Sequence, residues 1–281
     1  MKPYPSQAML ITDLDGTLLG SDGKMNQRDQ DALCCLGDKG IVRVIATGRN
    51  LYSFNTVAGN ALPVDYVIFS TGAGVITFPN GRLIRNIHLD SESVTSAVRT
   101  LMEFDLDFMV HQPIPDNHRF VYYCTGRNNP DFQRRLARYR DFSQPLDNAF
   151  SNLGPASQLL AVVDRDISTS MFTALESKLT GFSVIRSTSP LDGQSTWIEV
   201  FADSVSKGQC SAWLADQLNI HKDLVLAVGN DYNDLDMLEW AGTAFLVENA
   251  PDALKKRFPS VASQKHAGVA EAVRRWLTDC R

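Results

Sequence analysis

Short apolar runs, each broken by a cluster of acid, glycine or hydroxyl residues, set the rhythm of the first part of the chain. MLIT at 9–12 reads as a buried strand that runs directly into DLDGT at 13–17. Residues 27–39 carry Ala32, Leu33 and Leu36 on one side at helical spacing, with Gly40 as the stop. A second strand at 41–46 ends in Thr47, Gly48 and Arg49, and a helical stretch from about Leu51 leads to a third strand at 66–69. This alternation predicts a parallel sheet with right-handed crossovers, and ligands of such sheets gather at the carboxyl ends of the strands. Asn80-Gly81, between apolar-rich runs at 75–78 and 82–88, predicts an antiparallel hairpin after the third strand.

Beyond residue 88 the rhythm changes. Strand-like runs at 107–111, 120–124, 159–163 and 197–201 alternate with helical runs at 92–104, 129–140 and 168–179, which together read as an inserted α+β domain. The earlier pattern then returns, with a helix at 207–218, a buried strand at 224–228, a helix at 231–240 before Gly242, a strand at 243–247 and a helix at 271–277. The expected division is a core of 1–87 with 202–281 and an insert of 88–201.

Composition narrows the class. With 281 residues, 44% hydrophobic and 21% charged, the chain is an ordinary globular protein of about two domains, and collagen-like and disordered classes are excluded. Its 27 basic and 32 acidic residues give a net charge of −5, which attracts neither nucleic acid nor an anionic membrane overall. Arg134, Arg135, Arg138 and Arg140 therefore read as a solvated helix face. Cys34, Cys35, Cys124, Cys210 and Cys280 are odd in number and form no CxxC or His-linked zinc spacing, so structural or incidental roles in a reducing compartment are expected. The five His residues form no metal constellation. The apolar stretch near the amino terminus is short and interrupted by Asp13, and no window approaches the ~18 apolar residues of a membrane span, so a cytoplasmic protein is expected.

Candidate chemistry sits at the strand ends. Asp13 and Asp15, two apart, point to one face if the strand period holds into the turn, and paired carboxylate oxygens suit Mg²⁺; an Asp-Gly turn with two solvated acids is the alternative. Thr47 offers a hydroxyl donor and Gly48 close backbone approach, or else a helix cap and a turn. Lys207, before Gly208 at a helix start, can address a phosphate together with nearby amides, although a lone Lys is more often surface charge.

Taken together, DLDGT at 13–17, TGR at 47–49, SKG at 206–208 and GNDYNDLDML at 229–238 resemble the haloacid dehalogenase superfamily, specifically its large-capped, Cof-like phosphatases. The resemblance implies an α/β fold: a Rossmann-like core with a parallel sheet and an inserted α+β cap. It implies Mg²⁺ and phosphoryl transfer through an aspartyl-phosphate on Asp13, with Asp15 as acid and then base. It also implies phosphate contacts from the Leu14 N–H, Thr47, Gly48, Lys207 and Asn233. The metal would be held by Asp13, the Asp15 carbonyl, Asn230 and Asp234. Asn230 stands where the family usually has an acid; it offers a neutral oxygen and removes one negative charge, which Asp231 or Asp234 would offset. Asp234 is then either a ligand or an acceptor behind the ligands. In the insert, Arg119, Tyr122, Tyr123, Arg127 and Trp197 are candidate substrate contacts. The expected activity is hydrolysis of small phosphorylated metabolites, sugar phosphates first. Transfer to a sugar hydroxyl, or a weakly catalytic regulatory protein, are the alternatives.

Overall fold

The computed structural model describes residues 8–20, 22–58, 62–146, 153–164, 166 and 168–279; Cys280 lies outside them. It has two compact units, which divide between Arg85 and Asn86 and again between Val205 and Ser206.

In the first unit the runs without helical spacing become strands. β1 (Met9–Thr12) is buried at every position, and α1 (Gln27–Asp38) follows, capped by the Asn26 side chain, which accepts from Arg28 N. Gly40, at φ +71, ends this segment. β2 (Val42–Ala46), α2 (Leu51–Ala58) and β3 (Tyr66–Phe69) continue the alternation, then β4 (Gly74–Thr77) and β5 (Leu83–Asn86) form the expected hairpin beyond β3. Its turn holds a cis Phe78–Pro79 bond, and Thr77 N donates to Arg82 O.

After the second unit the chain returns with α6 (Lys207–Gln217), β12 (Val225–Gly229), α7 (Leu235–Trp240), β13 (Thr243–Val247), α8 (Asp252–Lys255), β14 (Ser260–Val261) and α9 (Gly268–Asp279). The eight strands order as β14-β13-β12-β1-β2-β3-β4-β5. Every pairing from β14 to β3 is parallel, and β4 runs antiparallel to β3. β1 thus sits between β2 and β12, and the strand order reverses at β1, where a parallel sheet opens a crevice at its carboxyl edge.

The second unit contains α3 (Ser91–Glu103), β6 (Phe108–His111), β7 (Phe120–Tyr123), α4 (Pro130–Arg138), β8 (Ser143–Pro145), β9 (Gln158–Val163), α5 (Ser168–Lys178), β10 (Phe182–Thr188) and β11 (Thr196–Ala202). Its six strands order as β10-β11-β9-β6-β7-β8, antiparallel except for β7 with β8. Strand alternation gives this sheet two apolar faces. Phe108, Val110, Leu159, Ala161 and Val200 join the core shared with α3, whereas Met109, Leu160, Val162 and Trp197 pack with Phe132 of α4 and with Tyr139.

Three details depart from the sequence reading. The helix expected at 231–240 is a 3₁₀ turn over Tyr232–Asp234 followed by α7, because Asp231 and Asp234 cap each other's backbone in a capping box. Arg135 is not on a solvated face but buried against aromatic rings. The edge strand β10 and the three-residue β8 have too few buried positions to show an apolar run. Among the described residues no helix is long and apolar enough to cross a membrane.

One buried acid ties the ends of the first unit together. Asp29, in α1, accepts from Ala270 N at 2.7 Å and so caps the start of α9. Burial pushes its carboxyl up to about 6, against the opposing amides and Arg28. Asp29→Ala leaves that amide without its acceptor and is expected to cost about 1–3 kcal/mol in thermal or urea unfolding. The native state holds the Asp29 proton more tightly than the unfolded chain, so this group's contribution is largest below about pH 4 and is lost as pH rises through about 6. Relative to Asp29→Asn, the natural protein should gain stability between pH 7 and pH 5; a constant difference would rule out a titrating Asp29.

Candidate active site

Because β1 pairs with both β2 and β12, the residues that follow these strands leave the sheet side by side. Asp13 follows β1 and donates its N–H to Val228 O at 2.9 Å; Thr47 follows β2, and Asn230 follows β12. Lys207 enters as the first residue of α6, whose N-cap Ser206 accepts from Gln209 N.

The Lys207 side chain has 0% exposure, and its Nζ donates to Asp13 Oδ1 at 2.7 Å and to Asp234 Oδ1 at 2.6 Å. One ammonium therefore serves two buried carboxylates. Burial alone would lower the Lys207 pKa, but Asp13 and Asp234 reverse this and raise it. Burial pushes Asp13 up to about 7 against the pull of Lys207, with Asp234 and Asp15 adding repulsion. The other Asp13 oxygen, Oδ2, is buried and has no hydrogen-bond partner among the described residues.

Asp234 shapes the loop after β12. Its Oδ2 accepts from Asn230 N at 2.8 Å and Asp231 N at 3.0 Å, while Oδ1 holds Lys207. Both oxygens are engaged, so its surroundings favour the acceptor behind the ligands over a direct metal ligand. Gly229 makes this possible, since a Cβ there would stand 2.7 Å from Asp234 Cβ and Cγ. Gly16, at φ +79, lies under the Asn230 side chain, 2.6 Å from a Cβ position to Asn230 Nδ2. The same loop reaches α6 through Asp236, which accepts from Gly208 N at 2.8 Å.

Several donors beside this cluster remain uncommitted. The N–H groups of Leu14 and Gly48 donate to no described residue. Thr47 is buried; its Oγ1 accepts from Arg49 N at 3.1 Å, and its own O–H has no acceptor among the described residues. Asn233 Nδ2 lies 3.7 Å from a Cβ position on Gly48, next to Thr71 Oγ1 at 3.6 Å. Amides, a hydroxyl and a carboxamide gathered beside an ammonium form a cradle for an oxyanion.

Asp15 takes a different partner from Asp13. Both of its oxygens accept from Arg49, Oδ2 from Nε and Oδ1 from Nη2, each at 2.7 Å, and Arg49 Nη1 is braced by Ser53 Oγ at 2.9 Å. An arginine beyond a turn is commonly a solvated cation, so the sequence leaves the role of Arg49 open, and nothing in it marks Asp236. Strand-end position is a signal for Arg49, but only the fold can supply its acid partner 34 positions away. In the second unit, Trp197 is buried and donates Nε1–H to Asp131 at 2.8 Å, Tyr123 stacks on Phe108, Arg119 lies over Phe142, and Arg127 pairs with Asp105.

No group of three or more His, Cys, Asp or Glu residues in metal-binding proximity occurs among the described residues. The oxygens that remain open are Asp13 Oδ2, the Asp15 carbonyl and the Asn230 side chain, a hard, all-oxygen set suited to a magnesium-like ion that keeps several of its waters. The lone buried Oδ2 and the excess of carboxylate over ammonium fit such a cation.

Lys207→Met would leave Asp13 and Asp234 buried without their cation, an expected loss of about 3–5 kcal/mol in urea unfolding at neutral pH. Adding Asp234→Asn should recover part of it. An unchanged midpoint in Lys207→Met would contradict the shared ammonium.

Comparison with known proteins places this geometry. A profile of the haloacid dehalogenase-like hydrolases matches residues 10–273. The 5-amino-6-(5-phospho-D-ribitylamino)uracil phosphatase YwtE of Bacillus subtilis is 24% identical, over 93% of this chain and 95% of its own. The HMP-PP phosphatase of Yersinia pseudotuberculosis is 23% identical, over 95% of this chain and 94% of its own. The solved structure of the phosphatase BT1666 from Bacteroides thetaiotaomicron superposes with a TM-score of 0.75 at 23% identity, covering 95% of this chain and 94% of that one. With a matching profile over nearly its whole length and all four strand-end motifs in order, the chain belongs to the haloacid dehalogenase-like hydrolases, among the Cof-like phosphatases.

Proposed function

We propose that this protein is a Mg²⁺-dependent phosphatase of small phosphorylated metabolites, sugar and polyol phosphates first, acting through an aspartyl-phosphate on Asp13 in the cytoplasm. The observation that carries the reading is the buried Asp13, held through Oδ1 by Lys207, with Oδ2 unpartnered beside an uncommitted set of donors. A relative named for a 5-phospho-D-ribitylamino substrate supports a polyol phosphate as ligand class.

Each part has a chemical role. The Leu14 and Gly48 amides, the Thr47 hydroxyl, Asn233 and Lys207 bind the phosphoryl oxygens and orient phosphorus toward Asp13. An Asp13 oxygen forms a bond to phosphorus as the ester P–O bond breaks, and Asp15 gives its proton to the departing alkoxide. Asp15 then takes a proton from the water that attacks phosphorus, which releases phosphate and restores the Asp13 carboxylate. Both Asp15 oxygens accept from Arg49, and each keeps a second lone pair on which the transferred proton can be carried. Arg49 is in this reading a positioning residue that fixes where Asp15 stands.

Asp13, the Asp15 carbonyl and Asn230 would hold the divalent ion, with Asp234 acting through the backbone of Asn230 and through Lys207. When bound, the ion supplies positive charge that lets a carboxylate approach an anionic phosphate. The compact unit Asn86–Val205 is, on this reading, the cap that selects substrates.

The direct test is phosphate release from sugar phosphates, nucleotides and an aryl phosphate, with and without Mg²⁺, beside Asp13→Asn. Mg²⁺-dependent release that vanishes in Asp13→Asn is expected; normal turnover by that variant would overturn the nucleophile assignment. Stoichiometric appearance of a phosphorylated acceptor in place of free phosphate would turn the reading to phosphotransfer. Asn230→Asp should keep or increase Mg²⁺ affinity in a direct titration, and a large loss would show that the amide itself is required. Arg49→Leu should lower kcat about ten- to a hundredfold, since small displacements of a catalytic group cost that much.

A further inference from the structure

The second unit contains a buried cation with no hydrogen-bond partner among the described residues. Arg135, in the last turn of α4, is only 8% exposed. Its guanidinium carbon lies 4.4 Å from the Trp197 ring centroid and 5.2 Å from that of Tyr139. The Nε–H is buried with no partner, and the guanidinium makes no hydrogen bond or ion pair with any described residue. An arginine cannot shed its proton to escape burial, and its five donors in one plane match a two-oxygen anion. Burial lowers its pKa, while Tyr139, Glu199 and Asp131 raise it and Arg138 lowers it further.

The surroundings are built rather than incidental. Asp131 does not pair with Arg135; its Oδ2 accepts from Trp197 Nε1 at 2.8 Å and its Oδ1 from Ser189 Oγ at 3.0 Å. Asp131 thereby fixes the indole against the guanidinium. Glu199, on the same strand β11 as Trp197, accepts from Ser187 Oγ at 3.1 Å. Neither acid pairs with Arg135, and the cation is left against aromatic rings without a hydrogen-bond partner among the described residues. Buried His111, with Nδ1 on Asn117 O at 2.8 Å, also has an unpartnered Nε2 and is within electrostatic range of Arg135. A protonated His111 would add an anion-binding donor, but burial pushes its pKa down to about 3, so the neutral ring leaves Arg135 as the cation that matters.

We propose that Arg135 is an oxyanion-binding site of the second unit, which takes a carboxylate or phosphate group of a small metabolite. Its fork donates two parallel hydrogen bonds to the anion, Trp197 and Tyr139 hold it flat, and Asp131 positions Trp197.

The full-length natural protein, without divalent ions, is titrated with inorganic phosphate and separately with malonate while the side-chain Nε–H resonance of Arg135 is followed by NMR. Loss of the resonance in Arg135→Lys assigns it. The expected result is a saturable shift of that resonance with at least one anion; phosphate alone identifies a phosphate group, malonate alone a carboxylate, and both a general oxyanion site. Trp197→Phe, which keeps the guanidinium and loses much of its stacking surface, should weaken the interaction severalfold. No saturable shift with either anion, or one equal to that of exposed arginines, would overturn the proposal. The reporter sits on Arg135 itself, so the result is independent of whether the Asp13 site hydrolyses phosphate esters.

Discussion

The first unit depends on one buried contact, the Lys207 ammonium between Asp13 and Asp234. Opposite charges about 4 Å apart attract by about 4 kcal/mol at an effective dielectric of 20, and here the buried ammonium lies closer than that to two buried carboxylates. Burying three charged groups is costly by itself. The arrangement persists because each charge has a partner and because hydrogen bonds from the loop after β12 satisfy the second oxygen of Asp234. Asp13 Oδ2 is left without a partner among the described residues, at the point where the proposed chemistry needs a free oxygen.

From this contact the rest of the site follows by geometry. Lys207 reaches Asp13 only because α6 begins at that residue, and the α6 start is held by Asp236 from the same loop that carries Asp234. Gly229 is small enough for Asp234 to fold back over the end of β12. Three stretches far apart in sequence, at 13–17, 206–208 and 229–236, are therefore one hydrogen-bonded object. The segment at 47–49 adds donors from the neighbouring strand and, through Arg49, sets the second acid apart from the first.

Much of this is legible in the sequence because buried parallel strands leave a strong trace. MLIT, the run ending at Ala46 and the run ending at Gly229 are apolar over nearly their whole length, and the chemistry begins at the residue after each. The two-residue spacing of Asp13 and Asp15 is legible too, but not their separate fates, since the partner of each comes from another part of the chain. Asp29 shows the same limit: nothing within α1 marks it, and its partner comes from α9 some 240 positions later. In the second unit, β10 lies at a sheet edge and carries Ser183, Arg186 and Ser187 among its apolar residues, so periodicity cannot mark it. Arg135 misleads for a related reason, since it belongs to an arginine-rich helix and only the placement of Trp197 on β11 shows which arginine turns inward.

The replacement of an acid by Asn230 acquires a physical meaning from this charge balance. Lys207 already leaves two buried carboxylates sharing one positive charge, and an acid at 230, beside Gly16, would add a third negative group to the same neighbourhood. In the proposed site the carboxamide would keep an oxygen for a cation while sparing an incoming phosphate that extra repulsion. Its backbone N–H is fixed by Asp234, so the loop holds the side chain in place without a charge of its own. A site of this kind binds a divalent ion less tightly on its own but resists an anionic ligand less, and the two effects work together when ion and phosphate are present at once. On the proposed function, Asn230 would therefore favour joint binding of metal and substrate over binding of the metal by itself, with the buried Lys207 as the positive charge beside both.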